Sequence, residues 1–528
     1  MSELIHQLIT RQAIQTPDAT ALLFKDDQYS YSELQYQIEA VAHGLMSLGL
    51  NPNDRVATYL PKVPQTVFSL FGTTQAGGAF VPINPLLKPK QVAYILDDCD
   101  VKVLITSSQR LQVLAETLEC CPNLNTVVVV ENELPLLEKK SQYQRLSWDE
   151  FTSASNNYQS HIRIDSDMAA ILYTSGSTGN PKGVVLSHKN MATGAKSVAS
   201  YLANTQDDRL LAALPFSFDY GLSQLTTAFS VGASVVLMDY LLPRDVIRAI
   251  QKYKITGLAA VPPLWNQLAQ LEWPMEAAES LRYLTNSGGS MPQATTEKLR
   301  AALPGTQVFL MYGLTEAFRS TYLPPDQIDI RPTSMGKAIP NAQVLVVRPD
   351  GTECAPGEPG ELVHRGSLVA MGYWNDTEKT SQRFKPSPSQ PKGIPISEIA
   401  VWSGDQVKRD EEGFLYFISR MDDMIKTSGY RVSPSEVEEA IYAIDAIKEA
   451  AAIGIPHPTL GQAILLVATV TDNLTPQAIL KHSKKELPNF MVPHEIILLD
   501  EMPHNQNGKI DRKLLTAEYG DLFQEMKA

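Results

Sequence analysis

The run from Tyr173 to Gly183, Tyr-Thr-Ser-Gly-Ser-Thr-Gly-Asn-Pro-Lys-Gly, concentrates three glycines, four hydroxyl residues and one lysine in a single turn-forming stretch. Its residue types suit phosphate binding. Glycine lets the backbone turn at positive φ and come close to a ligand, while successive N–H groups and Ser/Thr hydroxyls donate to phosphate oxygens. Lys182 adds positive charge. A surface linker can share this composition, but here apolar Met168–Leu172 and Val184–Leu186 flank the run, so two strands are expected to pin its ends. The Walker A pattern is excluded, because it needs Ser or Thr directly after the lysine and a helix behind it. Gly183 and a strand follow Lys182, so no help from a helix dipole is expected.

Such a loop needs a rigid frame, and the flanking sequence predicts one. Arg55–Leu60, Ala79–Ile83, Val101–Ile105 and Val127–Val130 read as strands, with helical stretches near Gln65–Gln75 and Pro89–Leu96 between some of them. Strands that are apolar throughout are buried on both faces, as in parallel sheets of α/β folds. Leu4–Ile14 has helical spacing, and Ser30 with Glu33 forms a capping box for a helix that should stop at Gly49. After the loop the pattern resumes with a helix from about Asn190, a strand at Ser234–Leu237, a helix at Pro243–Tyr253 and a strand at Gly257–Val261. The Pro/Ser-rich stretch Lys385–Gly393 reads as a surface loop.

Around Ser419–Asp423 the character changes to a compact tail, with helix starts at Ser433-Pro434 and Thr475-Pro476, strands at Glu449–Ile455, Ile464–Val470 and Ile496–Leu499, and a turn at Asn507-Gly508. The expected architecture is α/β: a large lobe of mostly parallel sheets over residues 1–419, then a small α+β lobe over 420–528.

Composition limits the function classes. At 528 residues the chain is too long for one ordinary core. Its 44% hydrophobic and 20% charged residues are those of a globular protein, and a net charge of −13 argues against a nucleic-acid footprint or an anionic membrane surface. The four cysteines, Cys99, Cys120, Cys121 and Cys354, show no C-x-x-C spacing, so neither a zinc site nor a disulfide framework is indicated. With no signal-peptide pattern at the N-terminus and no apolar run long enough to span a bilayer, a cytoplasmic location is expected.

Further motifs accompany the loop in a fixed order: Asn286–Met291 (Asn-Ser-Gly-Gly-Ser-Met), Tyr312–Glu316 (Tyr-Gly-Leu-Thr-Glu), Gly360–Gly366, Trp402–Asp405, Ser419–Arg431 and Asn507–Arg512 (Asn-Gly-Lys-Ile-Asp-Arg). Together they resemble the adenylate-forming, AMP-binding superfamily of acyl-CoA synthetases, nonribosomal-peptide adenylation domains and firefly-type luciferases, over essentially the whole chain. The resemblance implies two steps. A carboxylate attacks the α-phosphorus of ATP with loss of pyrophosphate, and a thiol then captures the acyl-adenylate. Such chemistry asks a protein mainly for positioning and charge neutralisation.

By that resemblance Thr174, Ser175, Gly176, Ser177, Thr178 and Lys182 hold the β and γ phosphates, Glu316 helps to hold Mg2+, and Thr315 meets the α-phosphate. Tyr312 stacks on adenine above Gly288 and Gly289, with Ser290, Met311 and Gly313 in the same nucleotide site. Asp405 accepts both ribose hydroxyls, and Arg420 reaches the ribose. Taken singly, these residues read as a core aromatic, a helix-start carboxylate or a turn residue; their order gives them the other meaning. Lys509, by itself a solvated hairpin tip, becomes the lysine that bridges substrate carboxylate and α-phosphate. Asp422 aligns with a hinge about which the small lobe turns after adenylation, withdrawing Lys509 and opening a thiol channel near Lys426 and Gly429.

For the acid, Asp219 in Phe216–Gly221 matches the aspartate that pairs with the α-ammonium in amino-acid-activating domains. A buried carboxylate without a cation is expensive to desolvate, so Asp219 in a pocket implies a positively charged substrate group, unless it merely caps the following helix. The resemblance places Tyr220, Ser223, Trp265, Met311 and Arg319 around a small, mostly apolar side-chain pocket, best suited to a compact amino acid such as L-proline. Free-standing prolyl-adenylating enzymes of natural-product pathways have this look. Leu314, with Met311 before the motif, is closer to acyl-CoA ligases. Since the chain ends soon after Lys509, the acceptor is expected to be the phosphopantetheine thiol of a separate carrier protein, with coenzyme A as the alternative.

Overall fold

The computed structural model describes residues 3–136, 141–153, 159–174, 181–420, 423–427, 430–457, 460–471 and 474–523. Two large sheets dominate them. In one, strands run in the order Lys337–Ala338, Thr321–Leu323, Gln307–Tyr312, Tyr283–Asn286, Gly257–Ala260, Arg209–Ala212, Ser234–Leu237, Thr20–Phe24 and Asp27–Ser30. Its centre is parallel and its two margins are antiparallel. In the other, the order is Gly372–Tyr373, Lys182–Ser187, Met168–Thr174, Ala79–Pro82, Arg55–Tyr59, Val101–Thr106, Thr126–Val129 and Gln144–Ser147. All-buried runs such as Ala79–Pro82 and Thr126–Val129 lie in its parallel part, where both faces are covered.

Helices Tyr31–Ser47, Pro64–Ala76, His188–Tyr201 and Asp219–Val231 fill the layer between the sheets, where Ile38, Val67, Met191 and Phe229 join Leu22 and Leu172 in one core. The capping box at Ser30 is formed, with Glu33 returning to the Ser30 N–H at 2.7 Å. Helices Pro89–Asp98 and Ser108–Leu118 cover the outer face of one sheet, and Pro243–Tyr253, Pro262–Leu268 and Gln293–Ala302 that of the other. A third, antiparallel sheet over residues 342–420 carries the motif strands Gly360–Gly366, Ile399–Arg409 and Leu415–Arg420. The C-terminal lobe packs helices Pro434–Tyr442 and Pro476–Glu486 on a mixed sheet built around Ile447–His457 and Gly461–Val470. The expected α/β architecture of two unequal lobes is what the chain adopts. No helix among the described residues is long and apolar enough to cross a membrane.

Candidate active site

The glycine-rich run joins two antiparallel strands, as its flanks require: Thr174 pairs with Lys182 and Tyr173 with Gly183. Ser175, Gly176, Ser177 and Thr178 lie outside the described residues, as do Asp422 and Gly429. At the base of the loop, Lys182 Nζ lies 5.4 Å from the centroid of the Tyr373 ring. Partial burial draws the Lys182 pKa down, and nearby Lys379 adds to this while Glu316 opposes it. Tyr373 is a site residue that sequence reading missed. Its hydroxyl donates to Glu316 Oε1 at 2.6 Å, and strand Gly372–Tyr373 pairs with Lys182–Ser187, so one dipeptide ties the loop base to the candidate metal carboxylate. The aromatic pair Tyr373-Trp374 after a glycine was its only signal.

Tyr312 ends a strand of the first sheet, and its hydroxyl donates to Asp405 Oδ2 at 2.5 Å. Burial is the first cause that lifts the Asp405 carboxyl, against the pull of Arg420, whose Nε is 3.4 Å from Oδ1. The same burial, reinforced by the Asp405 charge, holds the Tyr312 phenol protonated far above its ordinary range. Asp405 Oδ1 is buried and accepts no hydrogen bond. With only the Arg420 ion pair at 3.4 Å beside it, Oδ1 keeps the capacity to accept a ribose hydroxyl. For Mg2+ the cleft offers Glu316, and a magnesium ion held by one carboxylate would complete its shell with phosphate oxygens and water.

Lys509 reaches this cleft from the small lobe. Its turn is closed by Asn505 N–H donating to the Lys509 carbonyl at 2.7 Å, with Gly508 at φ +75°, where a side chain would be strained. The lysine stem lies against Gly288, at which a Cβ would come within 2.8 Å of Lys509 Cε. The ammonium is 5.2 Å from the centroid of the Phe218 ring. Burial pulls its pKa down, and Asp219, Asp405 and Glu316 pull it back up. Gly289 and Ser290 are exposed on the same loop, Gly313 lies beside the Arg319 backbone, and Met311 Sδ accepts from the Tyr201 hydroxyl at 3.0 Å. Lys426 is exposed on the small lobe, where its N–H donates to the Gln462 side chain.

The acid pocket differs from expectation. Asp219 is 3% exposed and already has a cation: Arg319 Nη1 donates to its Oδ2 at 2.8 Å. Thr315 Oγ1 donates to Asp219 Oδ1 at 3.2 Å, and Arg319 Nη2 donates to Ser223 Oγ at 2.8 Å. The inference from desolvation to a substrate ammonium therefore loses its premise, because the chain neutralises its own carboxylate. Nor is Asp219 the cap of its helix, since Phe218 holds that position. Arg319 stacks over Tyr220, with 4.7 Å from the guanidinium carbon to the ring centroid. Tyr220 is buried with its hydroxyl against Thr285, and Trp265, 0% exposed in a separate apolar cluster, spends its indole N–H on the Ala260 and Thr285 carbonyls. Of the residues expected around an apolar pocket, Asp219 and Arg319 thus pair with each other, and the Trp265 indole N–H is held by two main-chain carbonyls.

Residues 9–374 match the AMP-binding enzyme family, and residues 436–509 match the AMP-binding enzyme C-terminal domain. Tyrocidine synthase 2 from Brevibacillus parabrevis is 31% identical over 524 residues, which is 97% of this chain and 13% of that protein. Gramicidin S synthase 2 from Brevibacillus brevis is 28% identical over 522 residues, 98% of this chain and 11% of that protein. The chain thus spans only 11–13% of the length of these two curated relatives. Among solved structures it is similar to the anthranilate CoA ligase AuaEII in complex with anthranoyl-AMP, with a TM-score of 0.87 at 25% identity over 98% of this chain and 97% of that one. It is also similar to the o-succinylbenzoate CoA synthetase of Bacillus subtilis in complex with ATP and magnesium ion, with a TM-score of 0.80 at 25% identity over 96% and 99%. Two family matches that take in the Tyr312–Glu316 motif and Lys509, joined to a two-lobed fold shared along nearly the whole chain, make this protein a member of the adenylate-forming AMP-binding enzyme family.

Proposed function

We propose that this chain activates a small carboxylic acid with ATP and passes the acyl group to a thiol. The observation that carries the reading is the seat of Lys509: a lysine from the C-terminal turn rests on Gly288 and Phe218, within the field of Asp219, Asp405 and Glu316. In the first step a substrate carboxylate oxygen bonds to the α-phosphorus, the bond to the β-phosphate oxygen breaks, and pyrophosphate leaves. Lys509 would lie between the carboxylate and the α-phosphate and offset the charge that develops there. Thr174, Lys182 and the hydroxyls of Ser175, Ser177 and Thr178 would hold the departing phosphates, with Thr315 on the α-phosphate. Tyr312 would pack on adenine, and Asp405 with Arg420 would hold the ribose. Mg2+ bound through Glu316 would lend positive charge to the phosphates.

In the second step the thiol sulfur attacks the acyl carbon, losing its proton, and AMP departs. The lobes divide near Ser419. Rotation of the 420–528 lobe about Asp422 would then withdraw Lys509 and bring Lys426 and Gly429 to the thiol path. A cytoplasmic site of action belongs to the same reading, in keeping with four free cysteines.

The acid is a compact amino acid, best L-proline, and the acceptor is the phosphopantetheine thiol of a carrier protein. Likeness to gramicidin S synthase 2 along 98% of the chain supports an amino-acid substrate in general, and Asp219 keeps lone pairs that an amine could engage. A second reading, an acyl-CoA ligase for a small acid without an amine, is favoured by the Asp219–Arg319 pair, which leaves no net charge for an ammonium to balance. Pyrophosphate exchange into ATP across the twenty amino acids and a panel of aliphatic and aromatic acids tests the choice. Exchange with L-proline is the expected result, and exchange confined to acids without an amine would overturn it. Thioester formation with coenzyme A alone would favour the second reading.

A further inference from the structure

The turn that bears Lys509 is gripped from the opposite lobe by a residue given no role so far. Asn84 follows strand Ala79–Pro82 of the large lobe and is 2% exposed. Its Nδ2 donates to the main-chain carbonyl of Gln506 at 2.6 Å, and its Oδ1 accepts the Leu86 N–H at 2.9 Å. One end of the amide is thus held by its own chain, which aims the other at the small lobe. An amide serves both ends, being donor and acceptor at once.

The partner of that donor is stiff. Asn505 Oδ1 accepts from the N–H groups of Asn507 and Lys509 at 2.9 and 3.2 Å, and the Gly508 N–H donates to the Asn505 carbonyl at 2.9 Å. Both flanks are tied to the rest of the small lobe, His504 to Glu449 at 2.7 Å and Arg512 to Glu438 at 2.5 Å. Gln506 therefore cannot shift without moving Lys509, three residues away in the same closed turn.

We propose that Asn84 is a positioning residue for Lys509: its bond to the Gln506 carbonyl seats the lysine turn in the adenylation cleft and serves acid activation, not thiol capture. This rests on the reading that Lys509 acts in the first step. A single neutral hydrogen bond suits the task. It is strong enough to favour the seated orientation and weak enough to be released each turnover.

Asn84→Asp is the informative substitution, because it keeps the acceptor for Leu86 N–H and turns the donor across the lobes into a carboxylate oxygen that repels the Gln506 carbonyl. Hydrogen–deuterium exchange of the full chain without any acid should show the peptide over residues 503–511 exchanging about tenfold faster in the variant, with strand Ala79–Pro82 unchanged. With the panel acid that gives the highest pyrophosphate exchange, kcat of exchange should fall about tenfold while the KM for ATP stays the same. Transfer from preformed acyl-adenylate to the thiol should keep its rate. Wild-type protection at 503–511, or an equal fall in both half-reactions, would overturn the proposal. Undiminished exchange in Lys509→Ala would instead refute the lysine's role, and the deuterium measurement would still decide whether Asn84 seats the turn.

Discussion

Replacing Asp219 by alanine strands the Arg319 guanidinium in the interior. The two side chains are 4% and 2% exposed and 2.8 Å apart, so an effective dielectric near 20 gives a gross attraction of about 6 kcal/mol. Much of that is cancelled by desolvation, but deleting one partner of such a pair costs about 3–5 kcal/mol, because the survivor keeps its desolvation cost without its partner. Arg319 retains Ser223 and the Phe318 carbonyl as acceptors, which places the expected loss at the lower end, about 3 kcal/mol. Urea unfolding of Asp219→Ala, of Arg319→Met and of the double variant measures it. The double variant should recover at least about 2 kcal/mol relative to the sum of the single losses. A loss below about 1 kcal/mol for Asp219→Ala, or strictly additive losses, would refute the view that this carboxylate is neutralised from within.

Three other outcomes are expected. Lys509→Ala should lower pyrophosphate exchange by about 100-fold or more while ATP binding stays measurable by calorimetry. Tyr312→Phe removes the hydroxyl that donates to Asp405 and should weaken ATP binding by about tenfold, read by titration calorimetry. His364, fully buried beside Ser320, has its pKa lowered to about 4 by desolvation. The unfolded chain binds the proton from about pH 6.5 downward and the folded chain does not, so His364 lowers stability as pH falls from 6.5 towards 4, by up to about 3 kcal/mol. Burial shifts His6 and His188 the same way, so His364→Gln should reduce, not abolish, the fall of the urea midpoint across that window.

The frame was legible wherever local signals agreed with burial. Ser30 and Glu33 announced a helix that the capping box then starts, and the apolar flanks of Tyr173–Gly183 predicted the hairpin that carries the loop. The sheet over residues 342–420 was not legible as strands. Register shifts between Glu361 and Val363 and between Gln406 and Val407 break the alternation that marks a strand, so Asp405 was reached through its motif and not through its strand. The pocket escaped sequence reading for another reason. Arg319 lies 100 residues from Asp219 in sequence, and no local pattern pairs them. Trp265 reads as a pocket wall in the sequence because a large aromatic at that position suits either a wall or a core, and only its two carbonyl partners tell which. Asn84 and Gln506, 422 residues apart, belong to the same class of contact.

The strand order of the first sheet also bears on how the chain is made. Thr20–Phe24 lies inside that sheet, paired on one side with its hairpin neighbour Asp27–Ser30 and on the other with Ser234–Leu237, which the ribosome adds more than two hundred residues later. At roughly 5–20 residues per second, the hairpin waits roughly 10–40 s for that partner. Throughout that interval one edge of Leu22 and Leu23 stands open, able to pair with a neighbouring nascent chain. An open edge during synthesis therefore lies at the first strand of the large lobe, and the edge of Lys182–Ser187 waits almost as long for Gly372–Tyr373.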